Sequence, residues 1–322
     1  HASDPSMSVD VSELPFSTTC TLPAPVDGVS ARADGTVVAA TSRVFGNEWD
    51  GGLTAVFPDG TTKMCHMPCG CTDVSFLGPT NQSVVVSCDD GNLVVVGITS
   101  IGAESWRPLC LFAEHESIAT AVGRCHQAPE TVASASFDRT VKVWTVGSGD
   151  EGACITSLQG HCAAVWDVEY SPGDANVLAS CAEDGGVRVW DQRKSGATSA
   201  VEEGAALFCL AWKDDNTLLA AGENGTVHTY DLRSLDNGEV VQYQAHSDSV
   251  RRIALVREGA DAMVASVGDD CQLALHSQAA GCIKHKSKLH VDFVRGLCVH
   301  PDGGAVLTSS WDKTVATVKL PS

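Results

Sequence analysis

One ten-residue pattern recurs along this chain and limits its possible folds more than any other feature. A small residue precedes an aspartate, and two aliphatic positions and an aromatic or apolar residue follow, as in ASFDRTVKVW and CAEDGGVRVW. Further copies are VGDDCQLALH and SSWDKTVATV, with weaker ones at SCDDGNLVVV, AGENGTVHTY and EWDGGLTAVF. The aspartate position recurs every 40 to 48 residues, at Asp50, Asp90, Asp138, Asp184, Asn224, Asp270 and Asp312. This period is typical of β-propeller blades.

Each repeat also carries the alternating pattern of several short strands. VLASCA (177–182) precedes the aspartate turn and VRVW (187–190) follows it. A segment opened by histidine, GHCAAVWDVEY (160–170), and a segment such as CITSL (154–158) supply two more strands. Four-stranded units must stack on one another to bury both faces, and closing the stack into a ring removes its exposed ends. We therefore predict an all-β, seven-bladed propeller.

The two ends of the repeat array predict how the ring closes. The last repeat supplies three strands, ending in VATV (315–318), and the β-prone segment STTCTL (17–22) precedes the first repeat. We expect this N-terminal strand to complete the last blade. Residues 1–6, HASDPS, are interpreted as an expression remnant, and residues 7–322 as a single propeller domain.

Charge and composition narrow the possible partners. Acidic residues outnumber basic ones 40 to 21, which gives a net charge of −19. We expect such a chain to repel nucleic acid and anionic membranes and to attract basic proteins. No apolar run approaches the roughly 20 residues of a membrane span, and no secretion signal is visible, so a location inside the cell is expected.

The 14 cysteines are scattered singly, which in a reducing compartment is typical of small buried apolar residues. The exception is CHMPCGC (65–71), which imitates half of a zinc site. A structural zinc site normally has a second matching half, and none is obvious in the sequence. No metal and no cofactor are therefore predicted.

Histidine, serine and aspartate recur together in a way that raises the possibility of catalysis. His161, Ser180 and Asp184 have the residue types of a hydrolase triad. An active site needs one prearranged nucleophile, whereas a set repeated in several blades favours a structural hydrogen-bond network. No phosphate-binding loop, HExxH motif or nucleophile elbow is present. The sequence therefore predicts a protein that is not an enzyme and that acts by binding other proteins.

These motifs resemble the WD-repeat family over nearly the whole chain. The resemblance implies that histidine, serine, aspartate and the third-strand tryptophan form a network within each blade. Two blades carry the complete set, at His115, Ser134, Asp138, Trp144, His161, Ser180, Asp184 and Trp190. Trp106 and Trp212 fall at strand positions and are also predicted to lie in the core.

A binding surface is predicted where two kinds of connection emerge on one face of the ring. FGNEWDGG (45–52) is interpreted as a loop between the second and third strands of the first blade, with Trp49 and Phe45 at the surface. Ring closure would bring it near Phe293 and Arg295 in KLHVDFVR (288–295). Exposed tryptophan, phenylalanine and arginine are typical of interaction hot spots. Trp166 and Arg251 are predicted to line the same face nearer the axis.

Structural alternatives exist for several of these residues. Phe293 would then pack into its own turn, and Arg295 would be a solvated rim charge. Trp49 would fold down over the junction of the first and last blades. The sequence alone leaves these alternatives open.

Within the family, the chain resembles the methylosome subunits that partner type II protein arginine methyltransferases. EWDGGL, ENGTV (223–227), HVDFVR (290–295) and the closing Trp311 and Asp312 carry this resemblance. It implies a non-catalytic cofactor that docks on the methyltransferase, with Trp49 inserted into the enzyme. It also implies a hetero-oligomer in cytoplasm and nucleus that helps to present histones and Sm proteins.

A second function is suggested by VWDQR (189–193) and its weaker copy TYDLR (229–233). Trp-Asp-x-Arg after a third strand resembles the motif of substrate receptors of cullin-4 ubiquitin ligases. The structural alternative is that Arg193 forms only a local ion pair at the strand exit. A general WD-repeat scaffold is a further alternative.

Overall fold

Seven four-stranded antiparallel sheets make up the computed structural model of the protein. It describes residues 16–45, 48–77, 82–98, 106, 108–147, 152–234, 241–259, 262–277 and 281–320. Residues 1–6, the interpreted expression remnant, lie outside this range. The first strands of neighbouring sheets contact one another around the ring, including those of the first and last sheets. The sheets are therefore the seven blades of a closed propeller, as the repeat predicts.

No helix of the described residues has the length and apolar character of a membrane span.

The strands of each blade are called a to d, from the axis outward. Blades 1 and 2 consist of β2 (Val26–Ala31), β3 (Val37–Phe45), β4 (Glu48–Val56), β5 (Thr62–Met67), β6 (Cys71–Phe76), β7 (Ser83–Cys88), β8 (Leu93–Gly97) and β9 (Pro108–Phe112). Blades 3 and 4 consist of β10 (Ala119–Arg124), β11 (Thr131–Ser136), β12 (Thr140–Val146), β13 (Gly152–Gln159), β14 (Val165–Tyr170), β15 (Val177–Ala182), β16 (Gly186–Asp191) and β17 (Ala197–Glu202).

The remaining strands follow the same order. Blades 5 and 6 consist of β18 (Leu207–Asp214), β19 (Thr217–Gly222), β20 (Thr226–Asp231), β21 (Val241–Gln244), β22 (Val250–Arg257), β23 (Met263–Gly268), β24 (Gln272–Ser277) and β25 (Cys282–Lys288). Blade 7 consists of β26 (Val294–Val299), β27 (Ala305–Ser310), β28 (Thr314–Lys319) and β1 (Phe16–Thr21).

The N-terminal strand completes the last blade, as predicted. β1 pairs antiparallel with β28, from Phe16 opposite Val318 to Thr21 opposite Thr314. The backbone N–H of Leu22 donates to the carbonyl of Lys313 at 2.7 Å and extends the pairing beyond the strand. The ring is thus closed by backbone hydrogen bonds between residues far apart in sequence.

The core lies between blades and not within them. Seven clusters of buried apolar side chains occupy the seven junctions of neighbouring blades. Trp144, Trp190 and Trp212 are buried in these clusters, and Trp106 is partly buried against one of them. This arrangement explains why a single four-stranded unit could not be stable by itself.

The turn between strands b and c explains the recurring aspartate. In blades 3 and 7 the carboxylates of Asp138 and Asp312 accept the backbone N–H two residues on, both at 2.9 Å. The residue after each aspartate has a positive φ, 73° at Arg139 and 71° at Lys313. An aspartate side chain that closes on its own backbone stabilises this tight turn.

Blade 1 departs from the prediction. The segment FGNEWDGG is not a loop from end to end, because β3 continues to Phe45 and β4 begins at Glu48, with Val44 opposite Trp49. Asp50 is therefore a strand residue paired with Arg43 and not a turn aspartate. The Arg43 Nε donates to Asp50 Oδ1 at 2.9 Å, and this contact holds the pKa of Asp50 down to about 2. The result is a long b–c hairpin.

Candidate interaction surface

Every strand a has a β-bulge near its start, and the residues at these bulges meet at one end of the ring. The pairing register with strand b shifts around the second residue of each of these strands. The residues at the shifts are Asp27, Thr72, Thr120, Trp166, Phe208, Arg251 and Arg295. A bulge re-aims its side chain, and all seven line one cavity of about 570 Å³.

The b–c turns add a second set of side chains to the same cavity, which we call the axial cavity. The residue just before the turn aspartate contributes Asp89, Phe137, Glu183 and Trp311, and Ser42 contributes from blade 1. Side chains from strand a and from the b–c turn therefore share one face of the propeller. This is the face on which the sequence places the binding surface.

Aromatic rings form one wall of the axial cavity. The Trp166 ring lies between Phe137 and Phe208, with both centroid distances 5.1 Å and edge-to-face geometry. The Trp166 Nε1–H donates to Glu183 Oε1 at 3.0 Å. Edge-to-face contacts and this hydrogen bond fix the indole in place.

Two arginines continue this wall. The Arg251 guanidinium lies 4.4 Å from the Phe208 ring centroid and donates from Nε to Asp269 Oδ2 at 2.8 Å. The Arg295 guanidinium lies 4.4 Å from the Trp311 centroid and 5.2 Å from that of Phe293. Burial, then the like charge of Arg251, lowers the pKa of Arg295, while Asp269 and Asp27 oppose this. Both cations are therefore already held by carboxylates and rings of the protein.

The carboxylate of Asp27 also lines the axial cavity and is hydrogen-bonded to Trp311 of the aromatic wall. The Trp311 Nε1–H donates to Asp27 Oδ1 at 2.8 Å, and the Ser42 hydroxyl donates to the other oxygen. Burial raises the pKa of Asp27 despite these hydrogen bonds and the positive charge of Arg295. Because residues 27 and 311 belong to the first and last blades, this bond also crosses the closure of the ring.

Arg252 closes the floor of the axial cavity. Its guanidinium lies 3.3 Å from Asp73 Oδ2 and 4.0 Å from Asp167 Oδ2, and so joins blade 6 to blades 2 and 4. Burial lowers the pKa of Arg252, but the two carboxylates outweigh it and raise the pKa above its usual range. Burial raises the pKa of Asp167 to about 6. The Arg252 guanidinium therefore links the first strands of three blades beneath the cavity.

Exposed apolar side chains mark one part of this face. Of the exposed large apolar residues among the described side chains, five lie on outer d strands: Met64, Leu109, Leu111, Ile155 and Val241. The other three, Val291, Phe293 and Trp311, belong to connections of blade 7 and are 87%, 36% and 37% exposed. The Phe293 and Trp311 rings are 5.6 Å apart. We call Val291, Phe293, Arg295 and Trp311 the blade 7 patch.

The structure brings four of the six predicted binding residues to this face. Phe293 and Arg295 belong to the blade 7 patch, and Trp166 and Arg251 line the axial cavity. The side chains of Phe45 and Trp49 lie outside the described part of the structure. Sequence reasoning did not assign Trp311, Phe208 and Phe137 to this surface. The signal was present, because Phe208 follows the first residue of its strand a just as Trp166 and Arg251 do.

The repeated histidine sets form hydrogen-bond networks beneath the turns. In blade 4, the Ser180 hydroxyl is 2.8 Å from His161 Nε2 and accepts from Trp190 Nε1 at 2.9 Å, while His161 Nδ1 lies 3.2 Å from Asp184. Burial lowers the pKa of His161 more than Asp184 raises it. The neutral ring therefore links a buried hydroxyl to a turn carboxylate.

Blade 3 has the same network, which makes the geometry structural and not specific to one site. The Ser134 hydroxyl is 2.7 Å from His115 Nε2 and 2.8 Å from Trp144 Nε1, and His115 Nδ1 is 2.7 Å from Asp138. Burial raises the pKa of Asp138, but hydrogen bonds from His115 and Thr140 outweigh it and hold the pKa below its usual range.

The remaining networks vary in composition. In blade 6 a histidine, His276, takes the tryptophan position and lies 2.6 Å from the Ser266 hydroxyl. In blade 5, which lacks the histidine, the Tyr230 hydroxyl donates to Glu203 at 2.9 Å. Histidine in blade 6 and tyrosine in blade 5 thus take the place of the third-strand tryptophan and form a hydrogen bond there.

The Trp-Asp-x-Arg arginine is held in local ion pairs. Arg193 donates from Nε to Asp191 Oδ1 at 2.7 Å and from its terminal nitrogen to Asp174 Oδ2 at 2.9 Å. Arg233 binds Asp231 in the same way, with Nε at 2.9 Å from Oδ1. These local ion pairs at the strand exit are what the structural alternative for the Trp-Asp-x-Arg motif predicts.

Comparisons with known proteins agree with this architecture. The family model for the WD domain, G-beta repeat, matches residues 106–145, 152–191, 198–231 and 281–316. The chain contains WD repeats and is a seven-bladed β-propeller. The crystal structure of the WD40 β-propeller domain of Doa1 superposes with a TM-score of 0.79 at 19% identity, covering 96% of this chain and 98% of that chain.

Two relatives are informative at the level of sequence. The WD-repeat chain is 26% identical to the methylosome protein WDR77 of Xenopus laevis, over 92% of this chain and 90% of the relative. It is also 26% identical to Protein valois of Drosophila melanogaster, over 64% of this chain and 62% of that protein. The first similarity extends over nearly the full propeller.

Proposed function

We propose that this WD-repeat protein is a non-catalytic subunit that docks on a type II protein arginine methyltransferase and helps to present basic substrates. The observation that carries the proposal is the 26% identity to the methylosome protein WDR77 of Xenopus laevis over about nine-tenths of both proteins. Repetition of the histidine networks in blades 3, 4, 6 and 7 argues for structural and against catalytic use of those residues. The protein therefore acts through its surface.

The blade 7 patch is the proposed centre of the docking surface. Phe293 and Trp311 are exposed rings that contact each other, and the Arg295 guanidinium lies against both of them. Aromatic and arginine side chains dominate interface hot spots. Arg295 is fixed by Trp311 and by Asp269, whose Oδ1 lies 3.5 Å away. A patch that is already ordered loses little conformational entropy when a partner binds.

The acidic surface is the proposed means of substrate presentation. A net charge of −19 attracts arginine-rich segments such as those of histones and Sm proteins without requiring a tight pocket. A hetero-oligomer that works in cytoplasm and nucleus is part of the same proposal. Binding of such segments should weaken steeply with salt, because exposed charges are screened beyond about 8 Å at physiological ionic strength.

Affinity measurements with a purified type II arginine methyltransferase test the docking proposal. Phe293→Ala should weaken binding about 30-fold, which corresponds to about 2 kcal/mol for truncating a hot-spot ring. Leu111→Ala is the matched control, because Leu111 is an exposed apolar residue on the outer strand β9 and should bind as the unmodified protein does. Equal affinities of both variants, or no binding by the unmodified protein, would refute the proposal.

A further inference from the structure

One cysteine of the segment CHMPCGC, Cys69, lies close to a second cysteine and a carboxylate in the folded protein. Cys69 lies in the connection that leads into blade 2, Cys88 ends β7, and Asp90 lies in the following b–c turn. The two sulfur atoms and a carboxylate oxygen of Asp90 all lie within 4.8 Å of one another. Both cysteines are buried and free, and Asp90 is exposed. Two thiols and a carboxylate, from two separate segments of the chain, therefore lie close together.

The convergence replaces the usual network of a blade. In blades 3, 4, 6 and 7 the turn aspartate lies beside a histidine ring nitrogen, as Asp138 does beside His115. In blade 2, Asp90 instead faces the thiols of Cys69 and Cys88. Within the described part of the chain, its oxygens accept from Asn92, at 3.0 Å from the backbone N–H and 2.7 Å from the side chain. A carboxylate with two further lone pairs remains able to bind a cation.

A cavity beside the cluster supplies an entry path. It has a volume of about 370 Å³ and is lined by Pro68, Cys69, Asp89, Asp90 and Ile118. A metal ion can therefore reach the sulfur of Cys69 without unfolding the blade. Water in the same cavity can complete a four-coordinate shell.

We propose that Cys69, Cys88 and Asp90 form a binding site for Zn²⁺. Zinc is bound in proteins by thiolate sulfur at about 2.3 Å and carboxylate oxygen at about 2.0–2.2 Å, in tetrahedral geometry. Ligand atoms around such an ion are roughly 3.3–3.8 Å apart, so small rotations of the three side chains bring them into range. Two thiolates select zinc over magnesium and calcium, which prefer oxygen ligands.

Binding releases protons, because both thiols are protonated in the metal-free protein. The hydrogen bond to Cys88, followed by burial, raises the pKa of the Cys69 thiol. The pKa of Cys88 is also raised: Cys69 lowers it, but Cys71 and burial outweigh that effect. Each thiol gives up its proton as its sulfur binds the ion, so zinc affinity increases with pH.

Metal titration of the reduced protein tests the site. Elemental analysis after dialysis against Zn²⁺ should give one ion per chain, and Co²⁺ in its place should produce thiolate-to-metal charge-transfer absorption. Cys88→Ser and Asp90→Asn should each lower the affinity at least roughly tenfold, since each removes one ligand. Asp59→Asn is the matched control, because Asp59 accepts the N–H of Thr61 at 2.9 Å in a similar exposed turn and is not among the converging groups.

Three results would overturn the proposal. The first is an unmodified, reduced protein that binds no Zn²⁺ at pH 8. The second is an Asp90→Asn variant that binds Zn²⁺ as tightly as Asp59→Asn does. The third is a Cys69–Cys88 disulfide, seen by mass spectrometry in protein kept under reducing conditions, because a disulfide has no thiolate to offer. Circular dichroism of each variant establishes that lost binding is not lost folding.

Discussion

At the level of individual residues, a single serine hydroxyl group links strands of one blade through hydrogen bonds. The Ser180 oxygen meets both the His161 ring and the Trp190 indole inside the core, and Ser134 does the same in blade 3. The repeat predicts the histidine, serine and aspartate of these sets, because each recurs at nearly constant spacing, and the resemblance to the WD-repeat family implies the tryptophan. By contrast, the bond from Trp311 to Asp27 joins residues 284 apart, and only ring closure brings them together.

Ser180→Ala should destabilise the protein by about 2 kcal/mol or more. The change leaves the ring nitrogen of His161 and the indole N–H of Trp190 without their shared partner in a buried site, and each such loss costs about 1–3 kcal/mol. Urea unfolding followed by tryptophan fluorescence measures the effect. Ser309→Ala is the control: the Ser309 hydroxyl is buried and has no hydrogen-bond partner in the described structure, so its removal should be neutral or stabilising. Equal losses in both variants would contradict the role of the network.

The buried histidine of blade 6 should make stability depend on pH. Burial, then the charges of His246 and Lys286, lowers the pKa of His276 to about 3. The folded pKa is below the unfolded value of about 6.5, so the unfolded chain binds the proton first and stability is lost as pH falls from 6.5 towards 3. The slope from this one group approaches about 1.4 kcal/mol per pH unit.

Urea unfolding at pH 7, 6 and 5 measures this dependence. His276→Gln keeps a hydrogen-bonding side chain beside Ser266 but removes the titrating ring. The variant should show a shallower loss of stability between pH 6.5 and 5 than the unmodified protein. The same slope in both proteins would assign the pH dependence to other groups.

At the level of secondary-structure elements, the β3–β4 hairpin is where sequence reasoning missed the structure. The recurring aspartate position, occupied here by Asp50, favoured a loop over FGNEWDGG (45–52). The strands continue because Arg43 and Asp50 pair across them. Gly51 is required where the hairpin passes blade 2, since a Cβ there would lie 2.4 Å from the Thr41 carbonyl oxygen and 2.6 Å from that of Cys69. Close backbone contact, and not turn formation, explains this glycine.

Trp49→Ala should separate partner binding from folding. The hairpin extends beyond the length that the other b–c turns need, so we expect its tip to serve a partner and the melting temperature to stay nearly unchanged. We expect methyltransferase binding to weaken at least roughly 30-fold, about 2 kcal/mol, as for a hot-spot tryptophan. Calorimetry and thermal unfolding of the same preparation measure both quantities. A variant that unfolds would show that the indole belongs to the core, and one that binds normally would exclude it from the interface.

At the level of the whole molecule, the ring depends on one strand from the far end of the sequence. β1 provides the outer edge of blade 7, and removing residues 1–21 would leave β28 as an unpaired edge next to the blade 7 patch. We expect this truncation to lower the melting temperature by more than 5 °C and to promote aggregation through the open edge. Removal of residues 1–12 leaves β1 intact and is the control. Thermal unfolding and light scattering measure both effects, and identical behaviour of the two truncations would contradict closure by β1.

The number of blades and the manner of closure followed from the repeat, because each unit carries its own strand pattern and turn aspartate. The axial cavity did not follow from it. Its seven bulge residues differ in type, from Asp27 to Trp166 to Arg295, and share only a position in the blade. Position within a repeat can be read from a sequence, but the side chains that meet across the axis are known only when the ring is complete.

Pairing of β1 with β28 also sets an order of events during translation. β1 is the first of the described strands to leave the ribosome, and β28, its only hydrogen-bonded neighbour strand, is the last. For most of synthesis β1 therefore has no strand to pair with, while the six blades between β1 and blade 7 are completed one after another. A nascent chain with an unpaired strand is prone to wrong pairing, so the interval before β28 emerges is when this protein has most need of a chaperone.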